Sequence, residues 1–319
     1  WWEPYSEAEL DQTLAYARAQ AGATVLRFWA FQSYTRGGTD WSGIDRVLRL
    51  AKKHGMRVIP VLENNQPHCS QGGPKYENNG SWYANAPRRD FTYGHPLSLP
   101  DYIDRIVARY KDEPAIFAWM VMNEAESDNR EALFQFAKAT TEQVKRLDPN
   151  HLVTLGAQSN GVAGVSGADF LRVFALASID FAEGHDWGYW ASEEEALPGS
   201  PDGQHLPDPR SAQCLSTAYI PNHPKIACSI AQSLQVLGKP YLMGESGLVA
   251  DSAETRARRA SRLDAKMNAF FLNGGAGYLY WQLNKLVDSE KFDVLTTTND
   301  PLFAVMKKYA TGTASASPP

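Results

Sequence analysis

Three observations predict a (β/α)8 barrel from this sequence. Short apolar runs of strand length alternate with amphipathic helical stretches along the 319 residues. Several of the runs are apolar on both faces, which is typical of parallel strands covered by helices. The strand–helix–strand order implies a mostly parallel sheet, and no Gly-x-Gly-x-x-Gly motif follows any run, so a dinucleotide-binding open sheet has little support.

Seven apolar runs are predicted as strands, one fewer than a closed barrel contains. The chain opens directly before a helix, at the place where the loop after a first strand would lie. We therefore expect the first strand of the barrel upstream of residue 1. The seven runs are 24–31, 57–62, 116–122, 152–156, 180–184, 240–244 and 277–283.

Helix signals separate these runs. Ser6 and Glu9 form a capping-box pattern ahead of a helix that ends near Gly22. Ser42 precedes a second helix, which Gly55 can end in a left-handed conformation. Further helices are predicted at 100–111, 128–147, 225–237 and 253–272.

The domain organisation follows from the loops and the tail. Two long connections, 64–98 and 186–223, are rich in Gly, Pro, Asn and aromatic residues. Both follow strands, so they should rise from the C-terminal face, where barrel active sites are built. We predict a single catalytic domain over 1–310 and a linker-like tail, TGTASASPP, over 311–319. The tail and the loop aromatics favour a secreted enzyme, with a further module appended beyond the tail.

Composition excludes some functions. The net charge of −5 gives no basic surface for nucleic acid or membranes, and no apolar run approaches about 18 residues, the length that spans a bilayer. Cys69, Cys214 and Cys228 lack metal-site spacing. They are either three buried thiols or one disulfide and one free thiol, with Cys214 and Cys228 as the favoured pair.

Two glutamates carry the chemistry. Glu124 ends an apolar run in the dipeptide Asn-Glu, and Glu245 ends another in Gly-Glu. Two acids at the ends of two strands of one barrel converge on one cleft, which is the arrangement that retaining glycoside hydrolysis requires. The alternative for each residue alone is a solvated acid at a strand end.

Four motifs cover four of the predicted strands. They are RFWAF at 27–31, RYKDEPAIFAWMVMNE at 109–124, LGKPYLMGESG at 237–247 and YLYWQL at 278–283. Together they resemble glycoside hydrolase family 5, and within it most closely the endo-β-1,4-mannanases. The resemblance implies that Glu124, ending the fourth strand, is the acid/base, and that Glu245, ending the seventh, is the nucleophile.

The matched positions have expected roles. Arg27 should hold Glu245 ionised through its planar guanidinium, and a like charge on Glu245 should raise the pKa of Glu124. Asn123 is placed to bind the 2-hydroxyl of the sugar. His185 is expected to bind substrate or orient the acid/base, unless it is only a structural histidine.

Three tryptophans complete the predicted substrate site. Trp281 should stack on the sugar at the cleavage point, although a strand-end Trp is often a core residue. Trp29 is expected near the 2-hydroxyl. Trp187 stands where the family often has tyrosine, so a tyrosine hydroxyl near the nucleophile would have to come from Tyr189 or Tyr219. Glu63 ends a strand in the same cleft, as a substrate-binding residue or a solvated rim acid.

Rival functions find less support. A metal-dependent hydrolase needs several ligands at strand ends, whereas His185 is the sole histidine there, so we expect no metal and no cofactor. A phosphate-binding barrel conflicts with the charge of Glu245 in the Gly244–Gly247 turn, and a catalytically inactive sugar-binding barrel with the presence of both glutamates. The expected substrate is a β-linked polysaccharide, with mannan or glucomannan cut internally. A β-1,4-glucanase or an exo-acting β-mannosidase or β-glucosidase is the alternative.

Overall fold

The computed structural model describes residues 5–66, 80–158, 161–187, 194–218, 225–284, 291–296 and 298–312. Strands and helices alternate along these residues, as predicted. Each of the seven predicted runs overlaps a strand; five of the strands are shorter than their runs, whereas β5 and β6 each extend two residues past the predicted end. The strands are β1 Val25–Trp29, β2 Arg57–Val61, β3 Ala118–Met120, β4 Leu152–Thr154, β5 Ala182–Asp186, β6 Tyr241–Ser246, β7 Gly277–Tyr278, β8 Leu283–Asn284 and β9 Val294–Leu295.

The strands pair in parallel and in chain order. One sheet runs β1-β2-β3-β4 and a second runs β5-β6-β7, while β8 and β9 form a small separate ladder. Hydrogen bonds continue from β4 to β5, because Asp180 N donates to Val153 O over 2.8 Å and Thr154 Oγ1 donates to Phe181 O over 3.0 Å. The first seven strands therefore form one curved wall with all their carboxyl ends on the same side.

A cavity of about 620 Å³ lies between the two ends of this series. It is bordered by β1 on one side and by β7 on the other, and most of its lining is apolar. No ladder joins β1 to β7 among the described residues. The position between them is the one that the first strand of a closed barrel would take.

The helices pack outside the strands, and their ends follow local sequence signals. Ser6 and Glu9 form the predicted capping box, and a π-helical turn at Ala17–Ala21 carries the first helix to Gly22, whose φ is +67°. Gly55 is also left-handed, with φ +64°. The helices are α1 Glu7–Tyr16, α2 Ser42–Lys53, α3 Gly80–Asn85, α4 Leu99–Tyr110, α5 Arg130–Leu147, α6 Ala168–Phe174, α7 Ala212–Leu215, α8 Ile226–Ala231, α9 Ala253–Leu272 and α10 Leu302–Gly312.

One disulfide and one buried ion pair connect elements of the outer, helical layer. Cys214 in α7 and Cys228 in α8 form a disulfide, which confirms the favoured pairing; Cys69 lies outside the described residues. A buried ion pair between Arg259 and Asp300 connects α9 to the segment before α10. Where the chain is described, none of its helices has the length and apolarity that crossing a bilayer requires.

The predicted tail is described only at its start. Helix α10 includes Thr311 and Gly312, so regular structure extends two residues past the predicted domain boundary at 310. Residues 313–319 lie outside the described part of the chain.

Candidate active site

Glu124 and Glu245 meet at the carboxyl ends of β3 and β6. Glu245 is itself a residue of β6, while Glu124 follows β3 at a point where Asn123 N still donates to Glu63 O and Ala125 N to Gly156 O. Both acids are buried, with 7% and 5% of their surfaces exposed. One carboxylate oxygen of each lies within 4.8 Å of the other.

Arg27 connects Glu245 to Asn123. The Arg27 guanidinium donates from Nη1 to Glu245 Oε1 and from Nη2 to Asn123 Oδ1, the latter over 2.7 Å. Asn123 Nδ2 donates to Asn64 Oδ1 over 2.9 Å, so the amide is fixed on both sides. These groups come from β1, from β6 and from the ends of β2 and β3, so the position of Glu245 depends on the assembly of four strands.

Glu124 is held by two side chains from the end of β5. His185 Nδ1 lies 2.8 Å from Glu124 Oε1, and Trp187 Nε1 donates to the same oxygen over 3.3 Å. The backbone of Glu124 is left-handed, with φ +55°, a conformation that costs a non-glycine residue free energy and is enriched at functional sites. His185 is thus placed to orient Glu124, one of the two functions expected of it.

The pKa directions differ from those expected. Burial raises the pKa of Glu124, but hydrogen bonds from His185 and Trp187 lower it by more, so the net shift is downward. Burial raises the pKa of Glu245, and the positive charges of His185 and Arg27 offset this only in part. Both directions are opposite to those expected, because the expectation did not include the effect of His185 on the pKa of Glu124 or the effect of burial on the pKa of Glu245.

His185 itself holds a proton tightly. Burial lowers the pKa of its imidazole, but the carboxylates of Glu245, Glu124 and Glu183 together raise it to about 10. Moving one proton along the 2.8 Å contact converts imidazolium and carboxylate into imidazole and carboxylic acid. One proton is therefore shared between His185 Nδ1 and Glu124 Oε1, and we call it the acid proton.

Aromatic rings form the walls around the two acids. Trp281 lies 5.4 Å from Trp29 and 6.4 Å from Trp187, measured between ring centroids. Trp29 is buried, stacks on Phe31 at 5.0 Å and carries the Arg27 guanidinium 4.7 Å from its ring centroid. Trp281 and Trp187 are only partly buried, so these two rings are better placed than Trp29 to present a face to a ligand.

Glu63 is not the solvated rim acid that one interpretation of the sequence predicted. Its side chain is buried, Asn64 N donates to Oε1 over 2.8 Å, and Tyr93 OH donates to Oε2 over 2.5 Å. Since Tyr93 belongs to the long connection before α4, Glu63 anchors that loop to the end of β2.

Two buried charged residues were missed by the sequence analysis. Lys266 of α9 donates from Nζ to Asp186 Oδ2 over 3.0 Å and to Glu195 O over 2.9 Å, which ties the end of β5 to the outer helix. Glu183, two residues before His185, is buried inside the barrel. An acid at alternate spacing from a site histidine, within a buried strand, was the available signal for Glu183.

Glu124, His185 and Glu245 are also the described residues best placed to surround a metal ion, since their candidate ligand atoms lie within 4.8 Å of one another. The guanidinium of Arg27 already pairs with Glu245, so we assign no metal to this cluster.

Tyr189 and Tyr219, the two candidates for a tyrosine hydroxyl near Glu245, lie outside the described residues.

A parallel barrel with two close carboxylates at its strand ends defines a barrel glycoside hydrolase. The sequence comparison narrows this class, because residues 101–273, more than half of the chain, match the β-mannosidase-like group of glycoside hydrolase family 5. The chain belongs to glycoside hydrolase family 5, and it is an enzyme of the O-glycosyl hydrolase class.

Similarity extends over most of the chain. Mannan endo-1,4-beta-mannosidase A of Podospora anserina is 26% identical, with 86% of this chain and 73% of the relative aligned. The endo-beta-1,4-mannanase of Thermotoga petrophila superposes with a TM-score of 0.72 at 20% identity, over 99% of this chain and 76% of that one. An exo-beta-1,4-mannosidase from Opitutaceae bacterium strain TAV5 gives 0.65 at 17% identity, over 99% and 58%. These structures confirm the predicted barrel fold.

Proposed function

We propose that this enzyme hydrolyses internal β-1,4 linkages of mannan or glucomannan with retention of configuration, with Glu245 as nucleophile and Glu124 as acid/base. The observation that carries the mechanism is the approach of the two carboxylates to within 4.8 Å. Retaining enzymes place their carboxyl groups about 5–5.5 Å apart, whereas inverting enzymes need about 6.5–9.5 Å to admit a water molecule.

The hydrogen bonds of the two acids, rather than the directions of their pKa shifts, support this division of roles. Arg27 binds Glu245 through Oε1, which leaves Oε2 to attack the anomeric carbon. Glu124, paired with His185, gives its proton to the departing glycosidic oxygen in the first step. In the second step Glu124 takes a proton from the water that attacks the glycosyl-enzyme, and the shared proton is restored.

Around the two acids, the fixed groups would orient one sugar ring. The side-chain oxygen of Asn123 accepts from Arg27, and one N–H of its amide donates to Asn64. The second N–H can therefore donate to the 2-hydroxyl of the substrate. Trp281 would stack under the ring. A site whose polar groups fit one orientation of the 2-hydroxyl rejects the other, because its own groups are then left unpaired.

The choice of mannan rests on the relatives. The curated relatives matched over most of this chain are named mannan endo-1,4-beta-mannosidases. An exo-acting β-mannosidase is the second candidate, favoured by the β-mannosidase-like family group and by the exo-acting structural neighbour. A β-1,4-glucanase is a third.

Azide rescue tests the roles of the two acids. Glu245→Ala should abolish turnover because no covalent intermediate can form, and azide should rescue it to an α-glycosyl azide. Glu124→Ala should still glycosylate itself with an activated aryl β-mannoside, and azide should then release a β-glycosyl azide. A β product from the Glu245 variant would reverse the assignment.

A substrate panel tests specificity. Glucomannan and soluble β-mannan should be cut into mixed oligosaccharides, with carboxymethylcellulose a poorer substrate. Release of single sugars alone would refute internal cleavage. Faster cleavage of cellulose than of mannan would refute the mannan assignment and leave the two-acid mechanism intact.

Secretion is part of the same proposal. A disulfide between Cys214 and Cys228 suits an oxidising compartment, and the Ser/Thr/Pro tail suits a linker to an appended module. Fractionation of the native host should find the enzyme outside the cell, whereas a cytosolic pool with free thiols would contradict it.

A further inference from the structure

Glu183 is a buried carboxylate in the interior of the barrel wall. It lies on β5 two residues before His185, so both side chains point to the same face of the strand. Both side chains are 0% exposed. A buried carboxylate costs free energy unless it is paired or hydrogen-bonded, so its partners indicate its function.

Each oxygen of Glu183 faces a different group. Oε1 accepts a hydrogen bond from Ala157 N, while Oε2 lies 3.5 Å from His185 Nε2. Neither Oε2 nor Nε2 meets the geometry of a hydrogen bond with any group in the described part of the chain, and the two atoms face each other at 3.5 Å. A Cβ at Gly244 would overlap Oε2, so the glycine before Glu245 leaves the room that this approach requires.

The imidazole of His185 therefore lies between carboxylates on both sides. The charged groups that face it are Glu183 from its own strand β5, Glu124 from the end of β3 and Glu245 from β6, with Arg27 of β1 behind Glu245. On the Nδ1 side, Glu124 is 2.8 Å and Glu245 3.5 Å away. On the Nε2 side, the charged group is Glu183.

We propose that Glu183 is a positioning residue that keeps a proton on His185 Nε2, so that Nδ1 is the atom that shares the acid proton with Glu124. The proposal rests on the proposed roles of the two glutamates in glycoside cleavage. Glu183 touches neither Glu124 nor Glu245 in the described contacts, and it acts through the imidazole.

The tautomer explains why a second carboxylate is needed. A neutral imidazole has one N–H and one lone pair. With the N–H directed at Glu183, the lone pair of Nδ1 faces Glu124 Oε1 and can accept its proton; the reverse tautomer would place an N–H against Glu124 and leave no site for that proton. When the glycosidic oxygen leaves, the shared proton moves to it, and the second step returns a proton from water.

The variant Glu183→Gln separates charge from shape. A side-chain amide has a single acceptor atom, so the substituted side chain cannot accept from both Ala157 N and His185 Nε2 in the way the two carboxylate oxygens do. Without the negative charge the imidazole holds its proton less tightly, and the basic limb of kcat should move to lower pH by about one unit. With an aryl β-mannoside we expect kcat at pH 7 to fall about tenfold while KM changes by less than about twofold.

Two variants distinguish positioning from stability. Glu183→Asp keeps the charge, so its basic limb should return towards that of the wild type. Asp148→Asn is the matched control, since Asp148 is a buried carboxylate, hydrogen-bonded to Trp119 Nε1 over 2.9 Å, at the opposite end of the strands. It should lower the melting temperature and leave the pH limb in place. If the basic limb of kcat lies at the same pH in the wild type and in Glu183→Gln, the proposal is overturned.

A spectroscopic readout is independent of the substrate. In protein labelled with ¹⁵N-histidine, the signals of His185 are identified by their loss in His185→Phe. At pH 7 the wild type should show Nε2 protonated, and Glu183→Gln should show an unprotonated Nε2 or a mixture of tautomers. An unchanged Nε2 in folded Glu183→Gln would refute the function of Glu183, whereas failure of the mannan assay alone would refute only the substrate.

Discussion

Arg27 Nη2 donates to Asn123 Oδ1 over 2.7 Å, so the guanidinium that pairs with Glu245 also fixes the amide next to Glu124. One side chain thereby sets the relative position of both halves of the site. A lysine at this position could reach one of the two acceptors but not both, because an ammonium group on a flexible stem lacks the planar fork.

Arg27→Lys should therefore lower kcat about 100-fold on soluble mannan, with a smaller change in KM. The reason is that the positions of Glu245 and of Asn123, beside Glu124, would both be less well fixed. The measurement is steady-state kinetics at several mannan concentrations. Arg109→Lys is the matched control, since Arg109, at the end of α4, forms an exposed ion pair with Asp45, and α4 leads to the amino end of β3 and so to the side of the barrel opposite the site. Full activity of Arg27→Lys would show that the planar contact is dispensable.

The acidic limb of the pH profile should report Glu245. Burial raises the pKa of this carboxyl above its ordinary value of about 4.5. Because the nucleophile must be ionised, activity should be lost as the pH falls through that raised pKa, so the limb should lie above pH 4.5. Initial rates measured between about pH 3 and pH 9 test this. An acidic limb below pH 4.5, the ordinary pKa of a glutamate carboxyl, would contradict it.

Trp281→Ala should weaken substrate binding as well as turnover. Removing the ring deletes the proposed stacking surface, and kcat/KM should fall about tenfold. Trp281→Phe keeps an aromatic face and should retain most of the activity. If both variants behave like the wild type, Trp281 belongs to the core alone, and its contact with Trp29 is structural.

The disulfide should matter for stability and not for chemistry. Cys214 and Cys228 are 14 residues apart, and closing a loop of this length stabilises a fold by about 3 kcal/mol. A Cys214→Ser, Cys228→Ser double variant should unfold at lower urea concentration with kcat nearly unchanged. Adding a reductant should lower the wild-type midpoint and leave that of the double variant where it is.

The sequence allowed the strands, the helix ends and the two acids to be predicted, because these depend on local periodicity and on where an apolar run stops. The predicted run at 277–283 was only partly right: β7 ends at Tyr278, and Leu283 pairs with Val294 in a separate ladder. The order of the carboxyl pKa values and the approach of Glu183 to His185 could not be predicted. Both depend on distances to His185 that only the assembled barrel sets.

Contacts between tryptophans and charged groups have a practical consequence for measuring stability. Trp119 Nε1 donates to the buried Asp148 over 2.9 Å, and the Arg27 guanidinium lies 4.7 Å from the ring centroid of Trp29. The wavelength of tryptophan emission depends on neighbouring charges and on contact with water. Unfolding in urea should therefore shift the intrinsic emission of this protein, and its stability can be followed without an added dye.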